Sequence, residues 1–174
     1  ALPDRHRPPE GLRKAILQKL SYRVGRHPAQ ATRHDWFVAM ALTGRDQLAD
    51  VRAFVGSRPW RQGQVAVVCC QHGAGRYADA IAAAGTTPYA VECGGDLHTS
   101  VIEILLRSGA AGVMIMACPP RDCRHREGPR WLTERVYHGR EAELQARVDR
   151  ARVSIVHVNA SERADALAAL QAFA

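Results

Sequence analysis

The sequence predicts an α/β protein, in which a four-stranded parallel sheet is covered by helices on both faces and preceded by a helical N-terminal appendage. Two observations carry this prediction. From residue 64 onward, short apolar runs alternate with helical stretches, and this alternation builds a parallel sheet through right-handed crossovers. Before residue 58, apolar residues recur at helical spacing instead. We therefore divide the chain into a helical appendage with its linker, residues 1–60, and an α/β domain, residues 64–174.

The N-terminal zone, residues 11–57, is predicted to be helical. A first helix ends at the Gly25-Arg26-His27-Pro28 break, since glycine and proline interrupt a helix. Residues 32–35 can cap a second helix. Residues 57–64, which contain Pro59 and Gly63, are predicted to be a linker.

In the second zone, uninterrupted apolar runs indicate strands that are buried on both faces. The predicted strands are residues 65–70, 88–93, 112–118 and 153–159. The predicted helices are residues 76–84, 98–109, about 130–151, and a last one from residue 161 to the end. We expect the doubly wound, flavodoxin-like strand order 2-1-3-4, which places the first three strands side by side.

The composition of the chain argues against several classes of function. The net charge of +7 comes from arginine, because Lys14 and Lys19 are the only lysines, and it suits anionic partners. Aromatic residues are only 6% and no nucleic-acid-binding module is evident, so we expect no nucleic-acid partner. No apolar run approaches the ~20 residues of a membrane span. The polar, proline-rich start shows no signal peptide, and we expect a cytoplasmic protein.

The five cysteines all fall at or just beyond the ends of predicted strands. Cys69 and Cys70 end the first strand, Cys93 ends the second, Cys118 ends the third, and Cys123 follows in the next loop. In a parallel sheet these carboxyl ends share one edge, where such folds place their ligands. The pattern therefore predicts that the cysteines gather at one site.

Several chemistries fit such a gathering. A structural disulfide is disfavoured without a secretion signal, and no C-x-x-C redox motif is present. Four thiolates suit either tetrahedral zinc or an iron–sulfur cluster, and their spacing alone does not decide between the two. The absence of two compact C-x-x-C knuckles favours the iron–sulfur alternative.

Histidines lie beside some of these cysteines. His72 and His125 are candidates to replace a thiolate ligand, as in mixed Cys/His clusters, although exposed loop histidines are the commoner case. His157 lies within the fourth predicted strand, and we expect it in the core.

Residues 65–174 resemble the delta (iron–sulfur) subunit of the methyl-viologen-reducing hydrogenases, which partner heterodisulfide reductase. The resemblance rests on motifs that occur in the family's order. They are Val67–His72, Val91–Gly95, Arg107–Cys118, Cys118–His125 and Asn159–Glu162. The most specific is Cys118-Pro119-Pro120-Arg121-Asp122-Cys123, in which Asp directly precedes the second cysteine. Gly73 departs from the family, where many members carry another cysteine, and Pro119 and Arg121 replace a histidine and a glycine.

The resemblance implies a 2Fe–2S cluster that relays electrons between a flavin- or iron–sulfur-bearing subunit and a hydrogenase or formate dehydrogenase. This relay would take place within a larger complex of the hydrogenase or heterodisulfide-reductase kind. The chain would then be one component of an oxidoreductase complex rather than an enzyme of its own. The alternative is a non-catalytic adapter whose cysteines bind structural zinc or no metal.

The expected metal ligands are Cys70, Cys93, Cys118 and Cys123. The choice of Cys70 over Cys69 follows from the strand, because successive side chains point to opposite faces. Cys69 should enter a helix–sheet layer, whereas Cys70 is the last strand residue and lies level with Cys93 and Cys118. His72 is the substitute for Cys70.

Residues 12–50 are also similar to the N-terminal helices of glucan phosphorylases. Phosphorylases hold pyridoxal phosphate on a lysine in their C-terminal half, and this chain has no lysine after Lys19, which excludes that activity. We interpret the segment as a helical hairpin for docking or dimer contacts.

Overall fold

The computed structural model describes residues 44–57, 61, 63–140 and 143–174. The strands are β1 (Ala66–Cys70), β2 (Thr87–Val91), β3 (Val113–Ala117) and β4 (Val153–His157). The α-helices of this part of the chain are α1 (Gly44–Gly56), α2 (Ala78–Ala83), α3 (Thr99–Arg107), α4 (Gly128–Tyr137) and α5 (Arg163–Phe173). The first predicted helix, and the phosphorylase-like segment up to residue 43, lie outside the described residues.

The strands form one sheet in the order β2-β1-β3-β4, and every pairing is parallel. Val68 in β1 stands opposite Tyr89 of β2 on one side and Ile115 of β3 on the other. The predicted fold class and strand order are confirmed. All the strands end at the same edge, which we call the carboxyl edge, and the loops beyond β1, β2 and β3 lie side by side there.

The burial of each strand follows its place in the sheet. The central strands β1 and β3 are buried along their whole length, which explains their uninterrupted apolar sequences. The outer strands β2 and β4 are only partly buried. Their less continuous apolar patterns match these edge positions.

Helices cover both faces of the sheet, as in a doubly wound fold. On one face, α1, α3 and α4 contribute Val51, Ile102 and Leu132 to a layer that contains Val68 and Ile115. We call this the first layer. On the other face, the second layer, side chains of α2 and α5 pack on alternate residues of the central strands. Its members include Val67, Cys69, Ile81, Met114, Met116 and Leu170.

Helix α1 packs on the α/β domain. Val51 is fully buried in the first layer, and the Gln47 side chain donates to the Asp96 carbonyl over 2.7 Å and accepts from the His98 amide over 3.0 Å. The Tyr89 hydroxyl donates to Asp50 over 2.7 Å. The division of the chain into an appendage and a cluster-bearing domain stays a prediction. It concerns how each part behaves when the other is removed.

One predicted boundary is wrong. Helix α4 ends at Tyr137 instead of continuing to about residue 151. Gly139 adopts a φ of +68°, the left-handed conformation in which helices commonly terminate. A short 3₁₀ turn, Arg150–Arg152, then leads into β4. No helix in the described part of the chain has the length and apolar character that crossing a membrane requires.

Candidate metal centre

Four thiols meet in one buried cluster at the carboxyl edge of the sheet. Cys70, Cys93, Cys118 and Cys123 form a group of their own, and none of them is more than 7% exposed. We call this group the cysteine cluster. The structure thus brings together all four cysteines that the sequence analysis proposed as metal ligands.

Each cysteine reaches the cluster from the end of an element. Cys70 is the last residue of β1 and shares a face with Val68. Cys118 directly follows β3, and its Sγ lies 3.4 Å from that of Cys70. Cys93 caps the 3₁₀ turn Gly94–Asp96, and Cys123 lies in the loop before α4. The parallel order β2-β1-β3 makes these loops neighbours, so residues distant in sequence converge.

Cys69 lies apart from this group. It is fully buried in the second layer among aliphatic side chains of the sheet, α2 and α5. Burial raises the pKa of its thiol to about 12, because a thiolate there would lose its hydration. The two adjacent cysteines therefore face opposite sides of the sheet, as strand geometry requires.

The backbone around the cysteine cluster is packed so closely that side chains are excluded at two glycines. A Cβ on Gly128 would lie 2.8 Å from the sulfur of Cys93 and 3.5 Å from that of Cys123. A Cβ on Gly95 would lie 2.4 Å from the Gly128 Cα. The amide of Gly95 also donates to the Cys93 sulfur over 3.3 Å. The start of α4 can therefore approach Cys93 only because these residues lack side chains.

Gly73, the departure from the resembled family, has a steric explanation. A Cβ at this position would lie 2.9 Å from the Val158 carbonyl oxygen and 3.2 Å from the Cys118 sulfur. A cysteine would need the loop after β1 to shift. The thiol that this part of the chain contributes to the cysteine cluster is therefore that of Cys70.

The thiols of the cysteine cluster differ in acidity. The pKa of Cys70 is lowered to about 6, chiefly by the hydrogen bond that it shares with the Cys118 thiol, and the backbone amides of His72, Gly94 and Gly73 stabilise its thiolate as well. The same hydrogen bond, together with burial, raises the pKa of Cys118. Burial raises the pKa of Cys93 to about 12 despite the Gly95 amide. The cluster thus favours one thiolate by itself, and further deprotonation requires a cation that offsets burial and mutual repulsion.

One half-buried arginine stands close to this group. The Arg135 guanidinium of α4 donates to the Gly95 carbonyl, and its Nε is buried without a hydrogen-bond partner among the described residues. Burial lowers the pKa of Arg135, whereas Asp96 and Cys93 oppose that shift electrostatically. Arg135 thus places positive charge beside the Cys93 loop.

The histidines singled out in the sequence lie in two different places, two of them in loops at the carboxyl edge and one on an outer strand. His72 and His125 lie near one another, with ring centroids 6.4 Å apart, and they approach Glu92, a residue that the sequence analysis missed. The prediction of a buried His157 is wrong, because the ring is exposed on the outer strand β4 and contacts the Cys118 carbonyl over 3.3 Å. Glu92 had no signal beyond its place next to Cys93.

Side chains that bind one metal ion must bring their ligand atoms close together. Among the described residues, the side chains that bring three potential ligand atoms within 4.8 Å of one another are His72, Glu92 and His125, and no trio of cysteines does so. Four thiolates around one zinc ion at ~2.3 Å would stand ~3.8 Å apart. The 3.4 Å between the sulfurs of Cys70 and Cys118 is close to this spacing.

Comparison with known protein families finds a match that covers most of the chain. The family model described as "Methyl-viologen-reducing hydrogenase, delta subunit" (FlpD) matches residues 65–174, which include β1 to β4 and every cysteine. No curated protein sequence matches the chain.

Proposed function

The chain belongs to the family of the methyl-viologen-reducing hydrogenase delta subunit, and we propose that it carries a 2Fe–2S cluster on Cys70, Cys93, Cys118 and Cys123. Its function would be to relay electrons within a larger hydrogenase- or heterodisulfide-reductase-like complex. It would act as a component of that oxidoreductase and not as a separate enzyme. The partners are then other redox subunits that bear flavin or iron–sulfur centres.

The observation that carries the proposal is the convergence of four buried thiols from three strand ends inside the family-matched segment. Isolated buried cysteines commonly serve as small apolar core residues, as Cys69 does. Four together at the ligand-binding edge of a parallel sheet need another explanation, and soft thiolate sets select zinc or iron–sulfur centres.

Membership of this family favours a binuclear iron–sulfur group over one zinc ion. The sulfurs of Cys70 and Cys118, 3.4 Å apart, are close enough to bind the same metal ion. The lowered pKa of Cys70 further supports metal binding, since the thiolate is the form that ligates.

The protein's own part in electron transfer is to bind, shield and tune the group. A 2Fe–2S cluster, when bound, supplies exchange of one electron at a time. The four cysteines are buried, which shields the group from water, and Arg135 places positive charge beside it. That charge stabilises the reduced, more negative form. The exposed Arg124 and Arg126 beside Cys123 would attract an acidic partner surface.

The test is the composition and spectrum of anaerobically purified full-length protein. We expect about two iron and two acid-labile sulfide per chain, visible absorption, and an EPR signal after reduction. One zinc per chain without sulfide would overturn the proposal in favour of a zinc-binding adapter. Protein without any metal after anaerobic reconstitution with iron and sulfide would overturn it as well.

A further inference from the structure

A second group of metal-ligating side chains lies beside the cysteine cluster and shares no residue with it. One ligand atom each from His72, Glu92 and His125 lies within 4.8 Å of the others. His72 and Glu92 are half-buried and His125 is exposed. Two imidazoles and one carboxylate are a donor set that binds zinc or ferrous iron and leaves a coordination position open.

The three residues come from the same three loops that supply cysteines. His72 follows Cys70 beyond β1, Glu92 directly precedes Cys93 beyond β2, and His125 follows Cys123. The Glu92 carbonyl oxygen lies 3.5 Å from the Cys70 sulfur, so the two groups are close neighbours. The carboxyl edge of the sheet brings both groups together by the same geometry.

The His72 ring supplies an independent indication of a ligand. Its Nε2 is buried and has no hydrogen-bond partner among the described residues. Buried polar atoms almost always have a partner, and an exception calls for an explanation such as an ion. Glu92 supplies a negative charge to the trio, which suits a cation.

We propose that His72, Glu92 and His125 bind one divalent transition-metal cation of the zinc class, at a site separate from the cysteine cluster. Ligand atoms at ~2.1 Å from such an ion stand ~3.4 Å apart, so a separation of up to 4.8 Å must close by at most about 1.4 Å. The exposed side chain of His125 can close this gap by rotation. The bound ion joins the loops beyond β1, β2 and β3 on the solvent side of the cysteine cluster.

The proposal holds whatever the cysteines bind, and Co²⁺ serves as the probe because its visible bands report the ligand type. Full-length protein with its cysteine site filled anaerobically is titrated with Co²⁺, and difference spectra are recorded. We expect one equivalent to bind with the weak visible bands of nitrogen and oxygen ligands. The strong near-ultraviolet band that cobalt shows on thiolates should be absent.

The variants His125→Ala and Glu92→Gln test the assignment, and His138→Ala is the matched control. Because losing a direct ligand weakens binding at least as much as losing its outer-shell support, we expect each variant to bind Co²⁺ at least tenfold more weakly. His138 pairs with Glu134 at the far end of α4, and its variant should bind as the wild type does. Circular dichroism and the spectrum of the cysteine site confirm that each variant is folded.

Three outcomes would overturn the proposal. They are wild-type protein that binds no Co²⁺, binding that His125→Ala and Glu92→Gln leave unchanged, and a thiolate-to-cobalt band that accounts for all bound ion. Each of these leaves the iron and sulfide content unaffected, so the failure of this site is distinguishable from the failure of the iron–sulfur proposal.

Discussion

Cys69 and Cys70 are neighbours in sequence, and both are almost completely buried, but they belong to different regions of the molecule. Cys69 is one member of the second layer, where hydrocarbon surrounds it and its thiol keeps its proton. Cys70 belongs to the cysteine cluster, where another thiol and several backbone amides favour its thiolate. Burial alone therefore does not determine what a cysteine does.

The two regions differ in which protonation state of a cysteine they stabilise. The second layer surrounds Cys69 mainly with apolar side chains, so a neutral thiol fits it and a thiolate would lose its hydration. At the carboxyl edge, loop amides donate to the cysteine sulfurs, so this edge can accommodate concentrated negative charge once a cation is present. We therefore assign metal binding to the carboxyl edge and apolar packing to the second layer. The following variants test this assignment.

The largest effect is expected from the cysteines themselves. Serine substitution of any member of the cysteine cluster should abolish the visible spectrum of the loaded protein, because thiolate ligation is lost. Cys69→Ala should keep the full spectrum and lose only modest stability, since it removes one small apolar group from the second layer. Visible absorption and EPR of all five variants check this. An intact spectrum in Cys70→Ser, together with its loss in Cys69→Ala, would reverse the comparison.

A smaller effect is expected where the glycine contact closes the cysteine cluster. Gly128→Ala places a Cβ 2.8 Å from the Cys93 sulfur, so we expect reduced metal content and a loss of about 1–3 kcal/mol in the free energy of unfolding. Gly56→Ala is the control, because nothing lies within 4 Å of its Cβ position, and there alanine should stabilise α1 slightly. Metal analysis and chemical denaturation measure both. Equal metal content in the two variants would show that the contact does not shape the site.

A substitution in helix α1 should change the stability of the protein without changing its metal content. Val51→Ala removes fully buried methyl groups from the first layer, and we expect it to lower the free energy of unfolding by about 1–2 kcal/mol. Metal content should stay unchanged, because no cysteine lies in residues 1–57. Val55→Ala, at a half-buried position of the same helix, should have a weaker effect. A lower metal content in Val51→Ala would link α1 to the cysteine cluster.

The smallest effect is expected from Asp50. Burial raises the pKa of this carboxyl, although the Tyr89 hydroxyl donates a hydrogen bond that opposes the shift. A raised pKa in the folded state means that the stability contribution is full below the unfolded pKa and is lost as pH rises through the folded pKa. Asp50→Asn removes this loss, so its melting temperature should rise relative to wild type over the pH range that begins at the ordinary carboxyl pKa and extends upward. Tyr89→Phe should steepen the wild-type dependence, and a constant difference across this range would contradict the prediction.

The sequence was sufficient for the sheet because the relevant signals are local. The uninterrupted apolar runs of β1 and β3 require burial on both faces, and alternation with helices then requires a parallel sheet. The convergence of the cysteines at one edge followed from their places at the strand ends. The opposite orientations of Cys69 and Cys70 followed from the period of a strand.

Other features depend on which neighbour covers a residue, and local patterns do not encode this. His157 is exposed because β4 lies at the edge of the sheet, and the predicted helix past residue 137 is absent because Gly139 is left-handed. The meeting of His72, Glu92 and His125 needs three loops to be placed at once.

The sequence by itself determined the fold class, the strands and the set of cysteines that face one edge, because periodicity and chain order fix these. Only the tertiary structure decided how closely the sulfurs approach, that Gly95 and Gly128 must lack side chains, and that α1 packs against the domain. These are distances between residues far apart in the chain, and they are set by packing that no local pattern contains.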